Sequence, residues 1–153
     1  MHRRNVIAAM IASAGALFAA ARNAAYAAQA HAEPAPNVAK VAYHLCDLDK
    51  VAFVLGNIRN HYEGMGGPDK VTIALVVHGP ALKAFHAASA NPEVARAMGQ
   101  FVDSGLQPIA CRNTMRAQNV TLKDLVPGFV GADRGGVVRL AELQTQGYAY
   151  LRP

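Results

Sequence analysis

Apolar residues along this chain switch between two periods, and the switches mark its elements. Val71–Val77 (VTIALVV) is an unbroken, β-branched run, the pattern of a strand buried on both faces. Val38–Tyr43 is a shorter run of the same kind, and Leu106–Ala110 is a third, ending at Cys111. Between them the period lengthens. Leu48, Val51, Leu55, Ile58 and Tyr62 recur every three or four residues and predict one buried helix face. Asp47 is placed to cap that helix, and Gly64, Gly66, Gly67 and Pro68 end it. Leu82 and Phe85 predict a short helix after the second strand. Asn91-Pro92-Glu93 is a helix start, with Asn as cap, Pro in the first turn and an acid near the positive end.

The second half repeats the alternation. Asn113–Gln118 reads as helical, and Thr121-x-x-Asp124 has the form of a capping box. Pro127–Val130 is a weak fourth strand. Gly135-Gly136 leads into a last helix carrying Val137, Leu140, Ala141 and Leu143, stopped by Gly147. Tyr148–Leu151 closes the chain as a strand. Strand and helix in strict alternation predict an α/β domain with a mostly parallel sheet covered on both faces.

The N-terminal segment follows a different pattern. Arg3 and Arg4 precede an uncharged, Ala-rich run from Val6 to Ala21, and Ala-x-Ala cleavage candidates end at Ala27, Ala30 and Ala32. Residues 1–32 therefore read as a secretory signal, with the paired arginines pointing to the twin-arginine route and a periplasmic destination. The run is short of the ~20 residues that span a bilayer, so no stable membrane anchor is expected after cleavage. Residues 33–38, with two prolines, read as a tether to a domain over residues 39–153. Cleavage changes the charge. Removing Arg3, Arg4 and Arg22 while all 10 acids remain lowers the formal charge from +5 to about +2. The basic balance then no longer argues for nucleic acid, and no basic cluster interleaved with aromatics appears. Two cysteines are too few for a disulfide framework.

In open parallel sheets, ligands collect beyond the carboxyl ends of the strands. His44 and Cys46 follow the first strand, His78-Gly79-Pro80 the second, and Cys111, Arg112 and Asn113 the third. Gly135 and Gly136 precede the last helix, where a backbone anion nest or a plain turn is expected. Cys111 is the leading candidate. A thiolate at a helix N-terminus is stabilised, with Arg112 and Arg116 as further cationic candidates. The thiolate is the nucleophile and sulfur acceptor; the alternative is a buried structural thiol. His78 is either an acid–base group or metal ligand, or a histidine satisfied at a strand end. His44 is read in the same way, and Cys46 as a partner or a spectator thiol. His61 and His86 read as surface residues on helices. A Cys46–Cys111 disulfide would require neighbouring strands.

The pieces KVAYHLCDLDKVAFVLGNIRNHYEG, VTIALVVHGPAL, IACRNTMRAQNVTLKDLVPG and LAELQTQGYAYLRP resemble the DsrE/DsrF-like family, which includes the DsrE and TusD sulfur relays. The resemblance covers Lys40–Pro153. It implies a three-layer α/β/α sandwich on a five-stranded parallel sheet, and a homo-oligomer (trimer or hexamer) or hetero-oligomer with the site near a subunit contact. It also implies a persulfide-carrying cysteine just after the third strand, the position of Cys111. Gln118-Asn119 stand where the relays carry Arg-Gly, and the leader departs from their cytoplasmic setting.

Sulfur binding or transfer through a Cys111 persulfide, assisted by His78 and exchanged with a donor or acceptor protein, is the expected function. His44, Cys46, Arg112, Asn113, Gly135 and Gly136 are expected around it. Neither a cofactor nor a resident metal is expected in that reading. The alternatives are a non-catalytic component of an oligomeric assembly, and a copper, zinc or small-ligand site built from His44, Cys46, His78 and Cys111. Glycine clusters with a phosphate-loop or dinucleotide spacing are absent from the sequence.

Overall fold

The computed structural model describes residues 38–153. Five strands form one sheet: β1 (Ala39–Leu45), β2 (Val71–Val77), β3 (Gln107–Cys111), β4 (Val130–Ala132) and β5 (Ala149–Leu151). Their spatial order is β4-β3-β2-β1-β5, and every pairing is parallel. The described helices are α1 (Val51–Met65), α2 (Pro92–Asp103), α3 (Arg112–Ala117) and α4 (Gly136–Thr145), joined by short 3-10 turns. The signal segment and most of the tether lie outside the described residues.

Two cores explain the three layers. On one face, Tyr43, Leu45, Ile73, Leu75 and Val77 pack with Val54, Leu55 and Ile58 of α1 and Met98 and Phe101 of α2. On the other, Ala42, Ala74, Val76 and Ile109 pack with Leu140 and Leu143 of α4. The side-chain period of two sends alternate β2 residues to opposite faces, so with helices on both sides the strand is apolar apart from the half-buried Thr72 near its start. The alanines at 42 and 74 are fully buried on the α4 face.

Several boundaries differ from the sequence reading. β1 runs on to Leu45, which is buried and pairs with Val77, so His44 lies within the strand and not after it. Asp47 makes no capping bond; a 3-10 turn over Leu48–Lys50 precedes α1, and Leu48 is exposed. The fourth strand is displaced towards the C-terminus. Gly128 turns the chain at φ +100°, and Val126 N–H is bound to Phe85 O at 2.9 Å, which leaves 127–129 outside the ladder. His86 sits in an irregular segment, half-buried, bridged to Leu125 and bonded through Nε2 to Gln118 Oε1 at 2.8 Å. His61, also half-buried, faces Tyr43 Oη through Nδ1 at 2.9 Å. By contrast, Asn91 caps α2 as its sequence suggests, accepting the Glu93 N–H at 2.7 Å. The Thr121/Asp124 capping box is formed.

Candidate functional site

The site is built by strand periodicity at the carboxyl edge of the sheet. Ala42 and Ile109 face α4, so two residues further on His44 and Cys111 face the same side. The first residue after β2, His78, completes the row. Its N–H is held by Leu45 O at 3.1 Å, and Ala81 N–H by Cys46 O at 3.0 Å, which ties the first two loops together.

Cys111 is the last residue of β3 and the residue immediately before α3. The residue is buried, 6% exposed. No close capping bond joins the thiol to α3. Burial pushes the thiol pKa up, but the N–H groups of Thr114 and Gly136, the Thr114 hydroxyl and the Asn113 N–H outweigh it. The balance leaves the thiol below its ordinary value. These donors come from two helices. Thr114 is itself fixed, its Oγ1 accepting the Gly79 N–H at 2.9 Å.

Gly135 and Gly136 let α4 approach this closely. Gly135 has φ +100°, and a Cβ there would meet Asn113 Nδ2 at 2.7 Å and Cys111 Sγ at 3.9 Å. A Cβ on Gly136 would lie 3.3 Å from Cys111 Cβ and 3.4 Å from both Cβ and Cδ2 of His78. His78 and Cys111 are thus packed on one glycine. The imidazole nitrogen of His78 points elsewhere: its Nε2 faces His44 Nε2 at 2.5 Å, with the rings stacked at a centroid distance of 4.7 Å. His44 Nδ1 in turn meets Tyr150 Oη at 2.7 Å. Burial is the main reason that both imidazoles lie below the ordinary histidine pKa. Arg152 pushes both further down, and His78 does the same to His44.

Cys46 lies beside this histidine pair. Its Sγ is 3.3 Å from an Arg152 guanidinium nitrogen, and Arg152 also pairs with Asp47 at 3.2 Å. Burial and then Asp47 hold the Cys46 thiol above its usual pKa. The edge therefore presents two thiols of opposite tendency. The basic residues near Cys111 are turned to other partners. Arg112 lies across Gly131 and pairs with Asp133 at 3.1 Å, and Arg116 is bonded to Asn113. Neither guanidinium is among the groups that set the Cys111 pKa.

The sequence reading gives Thr114, Tyr150 and Arg152 no role, and Gln118 enters it only as a departure from the relay pattern. Thr114 had a readable signal, since the third residue of a helix directs its N–H at the residue before the helix. Gln118 donates to Gly79 O at 2.9 Å, holding α3 to the His78 loop. Tyr150 and Arg152 reach the site only because β5 pairs with β1.

The comparisons with known proteins bear on this arrangement. The DsrE/DsrF-like family model matches residues 16–153. The chain belongs to that family. Its members are tied to sulfur-relay type chemistry, which suits a buried thiol at a strand end directly before a helix. A solved structure of a protein of unknown function from Methanobacterium thermoautotrophicum is 26% identical, with a TM-score of 0.66, covering 75% of this chain and 99% of that one. A second, from Bacteroides thetaiotaomicron and also of unknown function, is 14% identical with a TM-score of 0.57, covering 79% and 100%. The latter likeness concerns the fold alone. No curated protein is significantly similar to the chain.

Proposed function

We propose that this protein is an exported, periplasmic sulfur carrier that binds sulfane sulfur as a persulfide on Cys111 and hands it to an acceptor. The observation that carries the reading is the placement of the Cys111 thiol: buried at the end of β3, immediately before α3, and packed against Gly136 at the start of α4. The surroundings from α3 and α4 hold the thiol below its ordinary pKa despite its burial, and the thiolate is the nucleophile in sulfur transfer.

The step balances without an external oxidant. Cys111 thiolate attacks the outer sulfur of a donor persulfide, R–S–SH. The Cys111 Sγ–S bond forms, the donor S–S bond breaks, and R–S⁻ leaves with the electron pair. Cys111 becomes the persulfide, carrying the transferred sulfur and its hydrogen. His78, packed with Cys111 against Gly136 and held below the ordinary histidine pKa mainly by burial, is the proton-handling side chain beside it on the strand-end row. Asn113 and the Gly135-Gly136 backbone complete the cradle.

The chain acts as a homotrimer or homohexamer in this reading, with donor and acceptor proteins as its other partners. The test is direct. Purified protein incubated with a sulfane donor gains the mass of one sulfur, located at Cys111 by peptide mapping, and Cys111→Ser gains none. Equal, negligible loading of both proteins overturns the proposal.

A further inference from the structure

Among the described residues, His44, Cys46 and His78 bring their ligating atoms within 4.8 Å of one another. The geometry points to a three-coordinate site for a monovalent copper ion formed by His44 Nε2, Cys46 Sγ and His78 Nε2. It does not rest on the sulfur-carrier reading, because Cys111 is not one of its ligands.

The donor set is the first argument. Two imidazoles and a thiolate suit soft transition metals, and thiolate in particular selects copper(I) and zinc. The second is preorganisation. In a compact metal site such donors lie roughly 3.3–3.7 Å apart, as metal–ligand bonds of ~2.0–2.3 Å require. The ion would part the two imidazole nitrogens, now 2.5 Å from each other, by about 1 Å and draw Sγ inwards. The backbone that carries the ligands is already clamped by the Leu45–His78 and Cys46–Ala81 hydrogen bonds. His44 is oriented by Tyr150 Oη on its other ring nitrogen, the outer-shell contact that fixes a ligating imidazole.

Asp47 offsets the Arg152 charge beside Cys46, and the remaining balance favours a monovalent ion. Binding releases the Cys46 proton: Cys46–SH and Cu⁺ give a sulfur–copper bond and H⁺, and the centre is then neutral. Arg152, 3.3 Å from Cys46 Sγ, would be repelled by the excess positive charge that a divalent ion leaves. All three ligands are half-buried, so the site opens to solvent and an ion can enter and leave.

The test is an anaerobic competition in which reduced protein is titrated with copper(I) against a chromogenic copper(I) chelator. One copper per chain is expected, with X-ray absorption showing two nitrogen donors and one sulfur. Cys46→Ser and His78→Gln should each weaken binding at least tenfold while retaining the wild-type circular dichroism. Tyr150→Phe, which touches no metal, should weaken it about tenfold, the lower end for outer-shell partners. Cys111→Ser should bind as wild type. The inference falls if the chelator keeps all the copper, if Cys46→Ser binds normally, or if Cys111→Ser abolishes binding. Sulfur loading of the wild-type protein, followed by intact mass without added copper, is expected whether or not copper binds, which separates failure of this site from failure of the carrier reading.

Discussion

Cys111 and Cys46 stand at the same sheet edge and differ in what surrounds their sulfurs. For Cys111, burial opposes ionisation but the Thr114, Gly136 and Asn113 donors prevail. For Cys46, burial and the neighbouring Asp47 carboxylate act together and outweigh Arg152. Alkylation follows the thiolate fraction, so each rate falls as pH drops through that thiol's own pKa. Cys111 lies below the ordinary thiol value and Cys46 above it, so the Cys111 profile should have its midpoint at lower pH. Mass-resolved alkylation of both thiols across a pH series measures this, and coincident midpoints would contradict it. The midpoint is the quantity to compare, because burial also slows reagent access to Cys111. Thr114→Val should move the Cys111 midpoint upwards and leave that of Cys46 in place. It also leaves the Gly79 N–H without its acceptor, at a cost of about 1–3 kcal/mol.

At the scale of elements, the start of α4 is the demanding position. Gly135 combines φ +100° with a Cβ direction that runs into Asn113. Gly135→Ala should therefore destabilise the domain by about 1–3 kcal/mol and reduce sulfur loading, since Asn113 and α4 must part. Gly56 is the control. It lies inside α1, and a Cβ there would have no heavy atom within 4 Å beyond its own helix backbone. Gly56→Ala should stabilise by about 0.5–1 kcal/mol and leave loading unchanged. Thermal melts of the pair measure the contrast, and equal effects would show that the α4 start is not specially constrained. Much of this element pattern was legible in the chain. The β2 limits and the Asn91 cap followed from local chemistry. The end of β1 and the position of β4 did not, because a ladder partner or a left-handed turn decides where pairing stops.

For the whole molecule, strand order governs what the cysteines can do together. β2 separates β1 from β3, so the ends of the outer two are ~9–10 Å apart, beyond the ~7 Å limit for bridged Cα atoms. Both cysteines are free. Mild oxidation of the folded monomer should therefore produce no Cys46–Cys111 disulfide. Non-reducing intact mass would reveal one as the loss of two hydrogens, and its appearance would mean that the loops move by several ångströms. The same strand order brings the C-terminal strand beside β1, which carries Tyr150 to His44 and Arg152 to Cys46.

The sequence alone determined the alternation of elements, and with it the parallel α/β class, because hydrophobic period and turn chemistry are local properties. It also determined that His44, Cys46, His78 and Cys111 collect at strand carboxyl ends, since they stand at the ends of three apolar runs. Tertiary structure decided how that collection divides. Cys111 goes with the donors of α3 and α4, and Cys46 with the histidine pair and the C-terminal Arg152. Contacts between residues 106 positions apart, such as His44 with Tyr150, depend on which strand becomes whose neighbour. No local pattern encodes that choice; the burial of both sheet faces as a whole makes it.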